Sequence, residues 1–104
     1  MGIDTALVTE AGDRKQELFD SQQCLARLAR TRWPGLLDTK CLQFIDPWGD
    51  TVFNQSQIPH LLAELRSETT EQQEQGVLVH LEAVIVLVER AVDEMHTYIK
   101  FIGD

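Results

Sequence analysis

Basic residues and long apolar runs are both scarce in this sequence. Its 104 residues contain nine Lys and Arg against 17 Asp and Glu, which gives a formal net charge of −8. Nucleic acid is therefore not expected as a direct partner, because a surface that binds phosphates must be basic. No apolar run reaches the roughly 18 residues of a membrane span, so no membrane partner is expected either.

Cysteines are equally few, and recognised catalytic motifs are missing. Cys24 and Cys41 form no C-x-x-C pair and have no cluster of zinc ligands beside them. We interpret them as reduced, buried thiols of a cytoplasmic protein, since no signal peptide is visible. Without a G-x-S-x-G, P-loop, G-x-G-x-x-G or H-E-x-x-H pattern, a protein that is not an enzyme is favoured, and no cofactor or metal ion is predicted.

What the sequence does contain is a long apolar helix near its carboxyl end. Residues 77–95 carry apolar side chains on one arc of a helical wheel and mostly acidic ones opposite, which predicts a helix over about 72–95. Val79 and Val86 lie among the polar positions, so either a second element covers this helix or the two valines form a homodimer contact. The apolar arc consists of Val77, Leu78, Leu81, Val84, Ile85, Val88, Ala91, Val92 and Met95.

Residues 97–102 follow this helix and have the β-branched and aromatic composition of a strand. Apolar side chains occur on both faces of this strand, which places it toward the middle of a sheet. Earlier strands are predicted at 3–9, 40–45 and 51–53, and residues 14–19 are either a strand at a sheet edge or a loop.

Two further helices are predicted from their capping residues. Asp20 is the expected N-cap of the first helix, with Gln23 at the capping-box position. Asn54 is the expected N-cap of the next helix, with Gln57 in the equivalent position. Polar residues 67–75 then connect this second helix to the long one.

Together these elements predict an α+β fold in one domain, residues 1–104. We expect a single mixed or antiparallel sheet of about three to five strands. Three helices are expected to cover it, the longest at about 72–95. The order of the strands is left open.

Two stretches resemble those of small bacterial proteins of about this length. Residues 44–54 read F-I-D-P-W-G-D-T-V-F-N, and residues 96–104 read H-T-Y-I-K-F-I-G-D. The group that they resemble has no established function or catalytic residues, so the resemblance implies no activity. It implies a bacterial, stand-alone, cytoplasmic protein, and by analogy such short acidic proteins are sometimes immunity partners of toxins.

The distribution of charge favours a non-catalytic interaction protein. Residues 36–70 carry five acids and two bases, and residues 71–104 carry seven acids and two bases. An acidic surface can steer a basic protein partner, which suits an immunity, inhibitor or regulator type of protein. The candidate interaction residues are Glu82, Val86, Glu89, Asp93 and Glu94.

The alternative hypothesis is a small-ligand or metal-binding domain, which could be an enzyme. Carboxylate and amide oxygens around the turn at 46–50 could bind a divalent cation, and a histidine could act as an acid or base. In the structural interpretation, Asp46 caps the turn, Trp48 covers the core and Asn54 caps a helix. The candidate ligand-binding residues are Asp46, Trp48, Asp50, Asn54 and His96.

Overall fold

The computed structural model describes residues 2–103, which form one antiparallel four-stranded sheet and three α-helices. The predicted α+β fold is confirmed. In chain order the elements are β1 (Asp4–Thr9), β2 (Arg14–Leu18), α1 (Cys24–Thr31), β3 (Asp50–Phe53), α2 (Ile58–Glu71), α3 (Gln75–Asp93) and β4 (Thr97–Ile102).

The strands lie in the order β2-β1-β4-β3, which confirms that the last strand is central. It pairs with β1 on one side and β3 on the other, so Ile99 lies opposite both Leu7 and Phe53. The segment at 14–19 does form a strand, and its charged residues lie at the sheet edge, where charge opposes pairing with other chains.

The long helix α3 packs its inner face against the sheet and against α2. Leu81, Val84 and Val88 are fully buried there, as the apolar periodicity predicts. Two residues of the predicted arc are an exception, because Val92 is 43% exposed and Met95 is 79% exposed. The helix ends at Asp93, so Met95 leaves the helical wheel, and Val92 lies at the rim of the buried face.

The predicted strand at 40–45 is wrong, because this segment contains a short 3-10 turn at Leu42–Phe44. The carboxylate of Glu64 on α2 accepts hydrogen bonds from the backbone N–H groups of Lys40, Cys41 and Leu42, at 2.6, 3.0 and 3.0 Å. These donors would otherwise bond to a neighbouring strand, so the segment docks on a helix instead of entering the sheet.

Both cysteines are buried free thiols, in agreement with the sequence. Cys24 is the first residue of α1, and Cys41 lies in the segment that docks on Glu64. Burial and the neighbouring Glu64 carboxylate raise the pKa of the Cys41 thiol to about 11. Little thiolate therefore forms at neutral pH, and Cys41 is a packing residue.

Neither predicted N-cap residue directly precedes its helix. Asn54 and Gln57 do exchange hydrogen bonds, since the Asn54 N–H donates to Gln57 Oε1 and the Gln57 N–H donates to Asn54 Oδ1. However, α2 begins only at Ile58 with Gln57 as its N-cap, so Asn54 fixes the turn before the helix. Asp20 is not the N-cap, because α1 begins only at Cys24 and Gln23 has a left-handed backbone with φ 57°.

The buried Asp20 carboxylate nevertheless stabilises the start of α1. It accepts hydrogen bonds from the first-turn N–H groups of Leu25 and Ala26, at 3.2 and 3.1 Å. It also accepts one from the N–H of Ile3, at 3.0 Å, so it ties the beginning of the sheet to the helix. A side chain from outside the helix thus satisfies donors that α1 itself leaves free.

The predicted linker at 67–75 is partly wrong, because α2 continues to Glu71. The reason is Glu68, whose buried carboxylate accepts a bidentate pair of hydrogen bonds from Arg32 and a third bond, of 2.7 Å, from Trp33 Nε1. Burial alone would raise the pKa of the Glu68 carboxyl, but the bonds from Arg32 and Trp33 outweigh it, and the pKa is lowered.

Glu68→Gln should lower the free energy of unfolding by about 2 kcal/mol at pH 7, because it removes the charge of a buried carboxylate that accepts hydrogen bonds from half-exposed Arg32 and from Trp33. Because the pKa of Glu68 is lowered in the folded state, its contribution is complete above the unfolded-state value of about 4.3 and is lost as the pH falls through the folded-state value. Urea unfolding followed by circular dichroism measures both effects.

Glu82→Gln, at an exposed carboxylate of α3, is the control and should change stability by less than about 0.5 kcal/mol. Equal unfolding midpoints for the Glu68→Gln variant and the wild type at pH 7 would contradict the role given to this carboxylate.

Candidate functional site

The five candidate ligand-binding residues do not form one site. Asp46, Trp48 and Asp50 lie at one end of β3, whereas Asn54 and His96 lie at the other. Asp50 pairs with Ile102, which is six residues along the chain from His96, so these two are roughly 20 Å apart along the strand. Asp50 and His96 therefore cannot contribute to one concave site.

Several of these candidates have structural partners instead. Asp50 Oδ2 lies 3.4 Å from Lys100 Nζ, and Asn54 Oδ1 accepts a hydrogen bond from the N–H of Gln57, the residue before α2. His96 Nδ1 is 3.0 Å from Glu10 Oε1, in an exposed pair. Within residues 2–103, no group of three or more His, Cys, Asp or Glu side chains is arranged to hold a metal ion.

Four of the five candidate interaction residues share one outer face of α3. Glu82, Val86, Glu89 and Asp93 are exposed there, whereas Glu94 lies just beyond the end of the helix and is half-buried. Cations neutralise part of this face, since Glu89 pairs with Arg66, and Glu94 pairs with Lys15 and Arg90.

These ion pairs make the outer face of α3 less acidic than the sequence indicates. The hydrogen bond from Lys15 is the largest cause of a lowered pKa at Glu94, with a further contribution from Arg90. Val79 and Val86 are exposed on the same helix, and the homodimer through them stays a prediction.

A more distinctive surface is a groove that two large, exposed aromatic side chains line. Phe44 is 62% exposed and Trp48 is 65% exposed, so the prediction that Trp48 covers the core is wrong. We call the open groove of about 630 Å³ that they line the aromatic groove. Its lining residues are Ala29, Arg30, Pro34, Gln43, Phe44, Ile45, Asp46, Pro47 and Trp48.

The turn that carries Trp48 is fixed by hydrogen bonds at both ends. Asp46 Oδ1 accepts a bond from the Trp48 N–H at 2.8 Å, and the Asp46 N–H donates to Thr51 Oγ1 at 3.0 Å. The N–H of Gly103, just after the central strand, donates to Gly49 O at 2.9 Å. The prediction that Asp46 caps this turn is thus confirmed, and the indole projects from a rigid base.

Arg30 in the last turn of α1 forms the other side of the aromatic groove. Its guanidinium carbon lies 4.7 Å from the centroid of the Trp48 ring, which is a cation–π geometry. One face of the indole is therefore covered by the protein itself. A partner that fully buried one of these exposed aromatic side chains would gain about 1.5–3 kcal/mol of binding free energy from it.

Sequence reasoning identified only two of the nine lining residues of the aromatic groove, Asp46 and Trp48. Phe44 was missed because it lies in the segment predicted as a strand at 40–45, which does not form. The one available signal is that Trp33 and Trp48 each lie beside a proline and near a glycine. Nothing in that pattern indicates that Trp33 is buried and Trp48 exposed.

Comparisons with known proteins find no matching family model, no matching curated protein and no matching solved structure. Within the described part of the chain, none of the helices combines the length and apolar character that crossing a bilayer requires. The function is therefore inferred from the residues of the aromatic groove and their surroundings.

Gly103→Ala should displace the turn that carries Trp48, because an added Cβ would lie 2.6 Å from Pro47 O and 2.7 Å from Asp46 O. Such overpacking costs about 1–3 kcal/mol. We expect a lower melting temperature and a shifted Trp48 indole resonance in a ¹H–¹⁵N spectrum.

Gly35→Ala is the control, since an added Cβ there meets no atom within 4 Å. If Gly103→Ala melts like the wild type with an unchanged Trp48 resonance, the turn does not depend on this contact.

Proposed function

We propose that this protein is a non-catalytic interaction protein that binds a protein partner through the aromatic groove. The observation that carries the proposal is the exposure of Phe44 and Trp48 on a hydrogen-bonded turn. Trp and Arg are the residues that most often dominate binding energy in protein interfaces, and here Arg30 already stacks on Trp48. A rigidly held aromatic side chain also loses little conformational entropy when a partner covers it.

The lining of the aromatic groove supports binding rather than catalysis. Its polar side chains are one guanidinium, one amide and one carboxylate, from Arg30, Gln43 and Asp46. No Ser, Cys or His is among the lining residues, so the groove offers neither a hydroxyl or thiol nucleophile nor an imidazole base. This chemistry suits recognition of a surface by packing and a few polar contacts.

The net charge of −8 favours a basic partner. Long-range attraction between opposite charges raises the association rate and weakens with salt. We therefore place the protein among immunity, inhibitor or regulator types that act on a basic protein, in the cytoplasm. The acidic residues of α3 contribute to this attraction, although Arg66, Arg90 and Lys15 neutralise part of them.

Capture of a partner from lysate of the source organism tests the proposal with four baits. The wild-type bait should retain a partner that a Phe44→Ala, Trp48→Ala double variant binds at least about 30-fold more weakly, since a tryptophan hot spot contributes 2 kcal/mol or more. Phe19→Ala is the matched control, because Phe19 is another exposed aromatic residue, outside the groove.

The fourth bait replaces Glu82, Glu89, Asp93 and Glu94 by glutamine. If only this bait loses the partner, the partner binds at α3, and the proposal that it binds at the aromatic groove is wrong. A partner retained equally by all four baits, or no partner for the wild type, would contradict the proposed function itself.

A small-ligand site at His96 is a second candidate. His96 has a left-handed backbone with φ 64°, a strained conformation that often marks functional sites, and its Nδ1 contacts Glu10. Asn54 lines the same recess, of about 350 Å³. A carboxylate that holds one ring nitrogen leaves Nε2 able to accept a proton, as in general base catalysis.

A thermal-shift screen against divalent metals and metabolites tests this second candidate. A ligand of the recess should raise the melting temperature of the wild type but not of His96→Asn, which preserves the preference for a left-handed backbone. His60→Asn, at an exposed histidine outside the recess, is the control and should respond like the wild type. If no metal or metabolite raises the melting temperature of the wild type, the recess at His96 is not a ligand-binding site.

A further inference from the structure

We infer that the aromatic groove binds a basic, proline-rich segment of the partner in the polyproline II conformation, an inference that rests on the proposed function. Such segments dock in shallow grooves between aromatic side chains, because the preformed helix loses little entropy on binding. The aromatic groove has this form, since it is open and Phe44 and Trp48 both project from its lining.

The lining argues against the other common modes of peptide recognition. Addition of a strand needs an exposed sheet edge, but no lining residue belongs to a strand. An amphipathic helix needs a long apolar trough, whereas Ala29 and Ile45, at the base of the groove, are already buried and only two large apolar side chains are exposed. A polyproline II segment needs only such a pair of aromatic side chains.

The indole N–H of Trp48 provides the polar contact that this mode requires. Among residues 2–103 it has no hydrogen-bond acceptor, whereas the indole N–H of Trp33 donates to Glu68 Oε1 at 2.7 Å. The carbonyl groups of a polyproline II helix make no internal hydrogen bonds and point outward. One of them can therefore accept a bond from Trp48 while prolines pack on the two rings.

The negative charge in and around the aromatic groove indicates that the bound segment is basic. Asp46 lines the aromatic groove, and its exposed carboxylate forms no ion pair within the described part of the chain. We therefore place Lys or Arg at the end of the segment nearest Asp46, on the side of Trp48 that Arg30 does not cover. The net charge of −8 favours the same sign over longer distances.

Titration of the ¹⁵N-labelled protein with synthetic peptides tests this inference. The probe is a peptide of roughly ten residues, made of repeated Pro-Pro-Leu units with two arginines at one end, so that prolines occur in every register. We expect a saturable shift of the Trp48 indole resonance and little change at Trp33, which is buried. Trp48→Phe assigns the two resonances.

Matched peptides and protein variants separate the contributions of proline, charge and aromatic packing to the affinity. Replacing every proline by alanine should weaken binding at least about tenfold, since the preformed helix is lost. Exchanging the arginines for glutamates, or changing Asp46→Asn, should weaken binding several-fold and reduce its salt dependence. Phe44→Ala should lower affinity in calorimetry by at least about tenfold, whereas Phe19→Ala should not.

Four outcomes would overturn the inference. Equal binding of the alanine peptide would indicate a general apolar site, and equal binding of free indole would indicate a small-molecule site. A Trp48 shift with protein concentration alone would identify a second copy of this chain as the occupant. Absence of peptide binding, with a lysate partner that still depends on Trp48, would overturn the polyproline mode and leave the proposed function intact.

Discussion

The carboxylate of Glu68 fixes the part of the molecule from which the aromatic groove is built. A buried carboxylate without partners is strongly unfavourable, so Glu68 requires the donors of both Arg32 and Trp33. Those two residues directly follow α1, and the same stretch of chain carries Arg30 and Pro34. The position of one side of the groove therefore depends on a contact with α2 that lies outside the groove.

The other side of the aromatic groove depends on the sheet. The turn that carries Trp48 is bonded to Gly103, which extends the central strand β4, while Arg30 belongs to the helical layer. Trp48 and Arg30 thus approach each other across the boundary between the two layers. A binding surface at such a boundary is sensitive to how the layers are packed, so changes in the core can alter recognition without touching an exposed residue.

Local patterns in the sequence predicted the elements whose hydrogen bonds are internal or regular. The long helix, the central strand at 97–102 and the hydrogen-bonded turn between Asn54 and Gln57 all follow from spacing and composition. The segment at 40–45 could not be predicted in this way, because its backbone donors bond to a side chain more than twenty residues away, at Glu64. The beginning of α1 is displaced for a related reason, since Asp20 reaches it from outside.

The aromatic groove could be predicted only in part from the sequence, again because side chains distant in the chain decide which residues are buried. Composition marks tryptophan as a residue of cores or interfaces, and Trp33 is buried because Glu68 provides its indole N–H with an acceptor. The indole N–H of Trp48 meets no such acceptor among the described residues. Likewise, Glu64 and Glu68 count toward the acidic charge of the sequence, yet they serve as internal hydrogen-bond acceptors. The surface is therefore less acidic than the composition implies.

The position of β4 has a consequence for how the chain matures during synthesis. This strand follows both β1 and β3 in the chain, yet those two strands are joined in the sheet only through it. Until the ribosome releases β4, the two earlier parts of the sheet present open, unpaired backbones. A nascent chain that stalls before β4 is made therefore exposes two unpaired strand edges, which are prone to aggregation. Chaperones or proteases would act on the chain in this partly folded state.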